Sequence, residues 1–231
     1  MSLKEKDLFR PKSLHKNIML YGLRKRMTDE QEEMVNSILN NRLTIVNSYA
    51  GTGKTTVAVA VAKYLYEECG QSAVYLFGTP QERTMGFRPG SVAEKELDYV
   101  APLIDALQET GEQDPLSVIQ LSGDMVGTKN TWIEARSHTF LRGTNLKGKT
   151  VIIEETQNLT RGELKKVLTR ISDDCTVIMI GHEGQIDLPK GSQSGFVPYI
   201  EHYRNEDYCQ VINLTHNFRG ELSQHADKLK W

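Results

Sequence analysis

The sequence predicts an α/β fold, a single doubly wound and mostly parallel sheet with helices on both faces. Three observations predict it. Short apolar runs recur at 73–77, 149–153, 175–180 and 210–214 without a strict polar alternation, as strands buried on both faces require. Helical patterns stand between them. A further apolar run beginning at Leu43 breaks into a Gly-rich turn that opens an Ala/Val-rich helix, reading LTIVNSYAGTGKTTVAVAVAK. At 231 residues, 39% hydrophobic and 25% charged, the chain is long enough for one such domain with a sizeable core.

The first stretch, residues 1–26, holds eight Lys/Arg against Glu5 and Asp7, a net charge of +6 that leaves −8 for the remainder of a chain at −2. It reads as a basic arm before a domain spanning 27–231, with a solvated role and a nucleic-acid contact both open. Thr28 or Asp29 is suited to cap a helix through Met34, Val35, Ile38 and Leu39. Gln31, just upstream of the first strand, resembles the adenine-reading glutamine of superfamily 1 and 2 helicases, since its amide both donates and accepts.

The Gly-rich turn fits G-x-x-x-x-G-K-[ST] with Ser48 at the first glycine position. Backbone N–H groups and a helix N-terminus there present partial positive charge to a polyphosphate. Ser48, Tyr49, Ala50, Gly51, Thr52, Gly53, Lys54, Thr55 and Thr56 are the expected nucleotide contacts. Lys54 is expected on the β- and γ-phosphates and Thr55 on Mg²⁺. Gly70 ends the helix.

After the strand at 73–77 comes a turn-rich stretch to Gly90, then helical segments broken at Pro102. A strand candidate follows at 117–121, and residues 122–136 read as an excursion on the nucleotide side of the sheet. The run ending at Ile153 places Glu154 and Glu155 at the C-terminal edge of a buried parallel strand, where ligands bind in open α/β sheets. Glu154 is expected in the Mg²⁺ shell and Glu155 as the group that polarises attacking water, with the choice of metal contact between them open. Thr160 caps the next helix, and Gln185, four residues beyond the strand that ends at Gly181, is expected to sense the γ-phosphate. The last strand leads into Asn217-Phe218-Arg219-Gly220, in which Arg219 is a further catalytic candidate.

Several stretches together resemble the PhoH-like family, P-loop ATPases related to the first motor domain of superfamily 1 helicases. They are AGTGKT (50–55), MGFRPG (85–90), FLRGTNL (140–146), IEETQNLT (153–160), LTR (168–170) and GHEGQIDLPKGSQSGF (181–196). Where that family usually has D-E-A-Q-N and G-D-x-x-Q, this chain has Glu154-Glu155-Thr156-Gln157-Asn158 and His182 in place of the acid. Thr79 stands before Pro80 where an arginine is common. The resemblance implies a single RecA-like P-loop NTPase domain using ATP and Mg²⁺, with single-stranded RNA or DNA as a partner.

Cys69, Cys175 and Cys209 lack C-x-x-C spacing, which argues against a disulfide framework and against zinc. No apolar run has the length of a membrane span, so a cytosolic ATPase is the expectation. A P-loop kinase and a nucleotide-gated nucleic-acid-binding module are the alternatives. A strand of nucleic acid is expected near residues 80–89, at Arg83, Phe87 and Arg88. Because Arg219 has no second motor domain to carry it, the active form is expected to be a cyclic homo-oligomer with Arg219, Arg142 or Arg170 reaching a neighbouring site. The competing reading has Arg219 acting in its own subunit.

Overall fold

A computed structural model describes residues 11–78, 92–121, 130–141 and 143–227. The expected contacts at Arg83, Phe87, Arg88 and Arg142, the MGFRPG stretch, Thr79 and residues 122–129 of the excursion lie outside them. The strands are β1 (Leu43–Ser48), β2 (Ala73–Phe77), β3 (Ile119–Leu121), β4 (Ile133–Ser137), β5 (Thr150–Ile153), β6 (Thr176–Gly181) and β7 (Cys209–Leu214). They form one seven-stranded sheet in the order β3-β4-β2-β5-β6-β1-β7, every pair parallel. The helices are α1 (Asp29–Asn40), α2 (Lys54–Cys69), α3 (Val92–Glu109), α4 (Pro115–Val118), α5 (Arg161–Leu168), α6 (Phe196–Tyr203) and α7 (Glu221–Asp227).

Side-chain alternation splits the core into two layers, one on each face of the sheet. In β2, Ala73, Tyr75 and Phe77 join α1, α2 and α3 on one face, while Val74 and Leu76 join Leu164 and Val167 of α5 and Phe196 and Ile200 of α6 on the other. The continuous apolar strands are thus buried on both sides, and β2, β5 and β6 show no exposed position. Thr28 and Thr160 cap α1 and α5 through reciprocal capping boxes with Gln31 and Glu163. Gly70 closes α2 in the left-handed conformation, φ 68°.

Three expectations are corrected. Helix α3 runs through Pro102 unbroken, because Val100, Leu103, Ala106 and Leu107 bury one face in the core and packing outweighs the missing N–H. Residues 133–136, assigned to the excursion, belong to β4 between β3 and β2; their alternating burial hid them among continuous runs. The described part of the arm, from Pro11 onward, is built into the domain. Leu14, Leu20 and Leu23 belong to the core, Tyr21 donates its hydroxyl hydrogen bond to Glu67 of α2, and the Lys63 ammonium of α2 sits 4.5 Å from the Tyr21 ring centre.

Candidate nucleotide site

Strand β1 ends beside β7, and the loop between β1 and α2 is held to the segment beyond β7 by backbone hydrogen bonds. Tyr49 N donates to Leu214 O at 3.1 Å and Phe218 N donates to Gly51 O at 2.8 Å. Gly51 is required here: at φ +71° an added Cβ would lie 2.8 Å from Arg219 Cγ and 2.9 Å from Asn217 Oδ1. Asn217, itself buried, accepts from Arg219 N at 2.7 Å and donates to Ser223 Oγ at 2.9 Å. The last strand therefore delivers Arg219 to the phosphate-binding loop of its own chain. The premise of the ring, an arginine without a scaffold, does not hold for Arg219, because β7 beside β1 supplies that scaffold.

Gly53, at φ 71°, opens α2 without a side-chain cap and without an acid in the first turn. The first-turn N–H groups and the helix dipole thus face the cavity with their positive end. That cavity is about 370 Å³, lined by the loop from Gly51 to Val57 together with Gln31, Met27, Pro102, Phe218 and Arg219. Gln31 is buried against it; its amide nitrogen donates to Thr52 O at 2.9 Å and its oxygen accepts from Thr28 N at 3.1 Å. One N–H and one lone pair of the amide are left over from these two hydrogen bonds. Arg26 and Glu109 pair at 2.8 Å along the same wall.

Glu154 continues β5 out of the sheet, its N–H donating to Leu76 O at 2.8 Å. The Thr55 hydroxyl donates to Glu154 Oε1 at 2.6 Å, across the intervening β6. Burial pushes the Glu154 carboxyl up to about 7, against the opposing pull of the Thr55 hydrogen bond and the Lys54 charge. Glu155 follows in the left-handed conformation, φ 51° and ψ 39°, and accepts from the Gln157 amide at 2.6 Å. Gln157 in turn accepts from His182 N at 3.0 Å, tying the end of β5 to the end of β6. Lys54, Thr55, Glu154, Glu155 and Arg219 all line a second cavity of about 740 Å³ that meets the first at Lys54, Thr55, Pro102 and Arg219.

Gln185 is not brought into this group. A tight turn, Gln185 N to His182 O at 3.1 Å, leaves its side chain exposed, and it lines neither cavity. Asp187 from the same loop reaches the second cavity instead, its N–H donating to Asn158 Oδ1 at 2.7 Å. His182 is buried; its Nδ1 accepts from Gly184 N at 2.8 Å and its ring lies 5.5 Å from that of Tyr49. Tyr49 is half-exposed, and the buried hydroxyls of Ser48 and Thr52 have no hydrogen-bond partner among the described residues. Ala50 and Thr56 lie at intermediate depth, and Thr56 lines the first cavity.

The family model for PhoH-like proteins matches residues 24–228. The chain belongs to the PhoH-like family. This PhoH-like chain is 32% identical over 186 residues to the PhoH-like protein of Bacillus subtilis, covering 80% of this chain and 56% of that protein. It is 26% identical over 189 residues to the protein PhoH of Escherichia coli, covering 80% and 51%. It thus spans about half the length of the curated relatives it matches. Among solved structures, the large terminase of a thermophilic bacteriophage, in complex with ADP, superposes with a TM-score of 0.54 at 11% identity, covering 86% of this chain and 48% of the terminase chain. The shared fold is that of RecA-like P-loop NTPase domains, as family membership also implies.

Two side chains of the PhoH-like site escaped the sequence reading. Phe218 is half-exposed on the wall of the first cavity; its place before Arg219 was the available signal. Gln157 carries the bridge between β5 and β6, and only the topology reveals it.

Proposed function

We propose that this PhoH-like chain is a Mg²⁺-dependent ATPase that cleaves the β–γ bond of ATP with water as the nucleophile, coupled to single-stranded RNA or DNA. The observation that carries the reading is the 2.6 Å hydrogen bond between Thr55 and Glu154. It joins a hydroxyl at the start of the P-loop helix to a buried carboxylate at a strand end, beside Lys54 and Arg219. A hydroxyl and a buried carboxylate beside an uncapped helix N-terminus form a donor set suited to Mg²⁺ with a polyphosphate, Thr55 and Glu154 holding the ion. Bound there, Mg²⁺ supplies charge neutralisation at the phosphate oxygens.

The loop N–H groups and Lys54 bind the phosphate chain, while Gln31 and Phe218 offer the base one hydrogen-bonding edge and one flat face. Glu155, held by Gln157, is placed to orient and polarise water at the end of the phosphate chain. Arg219 neutralises charge developing on the γ-phosphoryl group, from its own subunit.

Lys54→Ala is expected to lower phosphate release from γ-labelled ATP by at least about 100-fold, with the fold intact by circular dichroism. Hydrolysis at the wild-type rate would overturn the assignment. Label appearing on an acceptor instead of as free phosphate would move the reading to a kinase.

A further inference from the structure

Beyond the nucleotide site, at the C-terminal end of β4, a groove of about 570 Å³ runs between the 3-10 turn His138–Leu141 and helix α5. Its lining combines groups that the hydrolytic reading does not use. Phe140 is 55% exposed. Lys166 in the last turn of α5 and Arg170, two residues beyond its end, both line the groove. The His138 side chain is 8% exposed; its Nδ1 lies 3.3 Å from Phe77 O, and its Nε2 faces the Glu163 carboxylate at 3.7 Å, which leaves Lys166 and Arg170 as the cations directed to the groove.

We infer that this groove is a docking surface for single-stranded nucleic acid, with one base stacked on Phe140 and the flanking phosphates held by Lys166 and Arg170. An aromatic face beside two cations recognises a flat ring joined to phosphates. The ring must be unpaired to stack, which selects a single strand over a duplex. A strand is favoured over a free nucleotide because the groove offers one aromatic face and two separate cations, one for each flanking phosphate.

The groove also touches the hydrolytic site. His138, Thr139 and Glu163 line both this groove and the cavity that reaches Lys54 and Glu154. Glu163 caps Thr160, its Oε2 accepting from Thr160 N at 2.8 Å, and Thr160 lines the hydrolytic cavity. The inference rests on the proposed coupling only for this effect on turnover; binding stands on the groove itself.

Binding of a fluorescently labelled poly-U 12-mer to the full chain, read by anisotropy without ATP, tests it. Phe140→Ala is expected to weaken binding about ten-fold. Lys166→Ala/Arg170→Ala should also lower the slope of log affinity against log salt by about 1.4. Thermal midpoints within about 2 °C of wild type identify these as binding effects. Unchanged affinity and slope, absence of binding by the wild type, or competition by AMP or polyglutamate at the same nucleotide or residue concentration would overturn the docking surface. The ATPase assignment, read separately through Lys54, is untouched by any of these results. In Phe140→Ala and in Lys166→Ala/Arg170→Ala, basal hydrolysis is expected to persist while stimulation by the 12-mer is lost.

Discussion

Glu155 occupies a backbone conformation, φ 51°, that non-glycine residues seldom adopt, at a cost of roughly 1–2 kcal/mol. Strain of this kind collects where function over-determines the backbone. Here the αL residue turns the chain off β5 into the 3-10 turn Thr156–Asn158, whose Asn158 N–H donates to Glu155 O at 2.8 Å. Glu155→Gly relieves the strain but loses the hydrogen bond from Gln157, so its thermal midpoint is expected to match or exceed wild type by up to about 4 °C. Hydrolysis should fall by at least about 100-fold. A midpoint several degrees below wild type would mean that the conformation carries no strain. The carboxylate pair itself was legible in the sequence, since acids following a continuous apolar run mark a strand end. The strain was not, because nothing in the residue type glutamate announces αL. Gln185 failed for a related reason: counting four residues past a strand assumes the chain runs straight, and the turn at His182 carries the side chain away.

At the scale of elements, Glu30 joins the first turn of α1 to the segment that carries Arg219. Its two carboxylate oxygens accept from Thr215 N at 2.7 Å and Thr215 Oγ1 at 2.6 Å. Partial burial works against the charged form, but the two Thr215 hydrogen bonds prevail and hold the carboxyl below its ordinary value of 4.5. A lowered folded-state value means that the ionised group stabilises the fold above the unfolded value and loses that contribution as pH falls through the folded one. The midpoint difference between wild type and Glu30→Gln is therefore expected to be constant from pH 8 to pH 6 and to shrink below pH 4.5. A difference that stays constant down to pH 3 would show that the charge of Glu30 adds nothing. Element types were read well where strands were buried on both faces, as with β2, because a parallel interior strand has no polar side to confuse the pattern. They were misread at β4, where Glu134 and Arg136 alternate with buried Ala135 and Ser137. They were misread again at α3, where Pro102 sits inside a helix held by tertiary packing.

At the scale of the whole molecule, the sheet order puts β6 between β1 and β5, so the lysine loop and the acidic strand end face each other across one strand's width. It also puts β7 on the far side of β1, which is how Arg219 comes to its own P-loop. A mixture of Arg219→Ala and Lys54→Ala chains is accordingly expected to recover no ATPase activity beyond the sum of the two alone. Recovery would restore a neighbour-supplied arginine and with it the ring. Family-level motifs made the loop and the acids recognisable, yet strand order, which brings Arg219 beside Gly51 of its own chain, is a long-range property that no local stretch encodes. The same order has a consequence for how the site comes into being during synthesis. The first cavity is lined by Leu23, Arg26 and Met27, which precede β1, and by Phe218 and Arg219, which follow β7. A chain stalled after β6 already has Lys54, Glu154 and Glu155, but that cavity lacks its later lining until β7 docks beside β1. Closing the cavity thus fastens the earliest and latest translated of the described segments to each other.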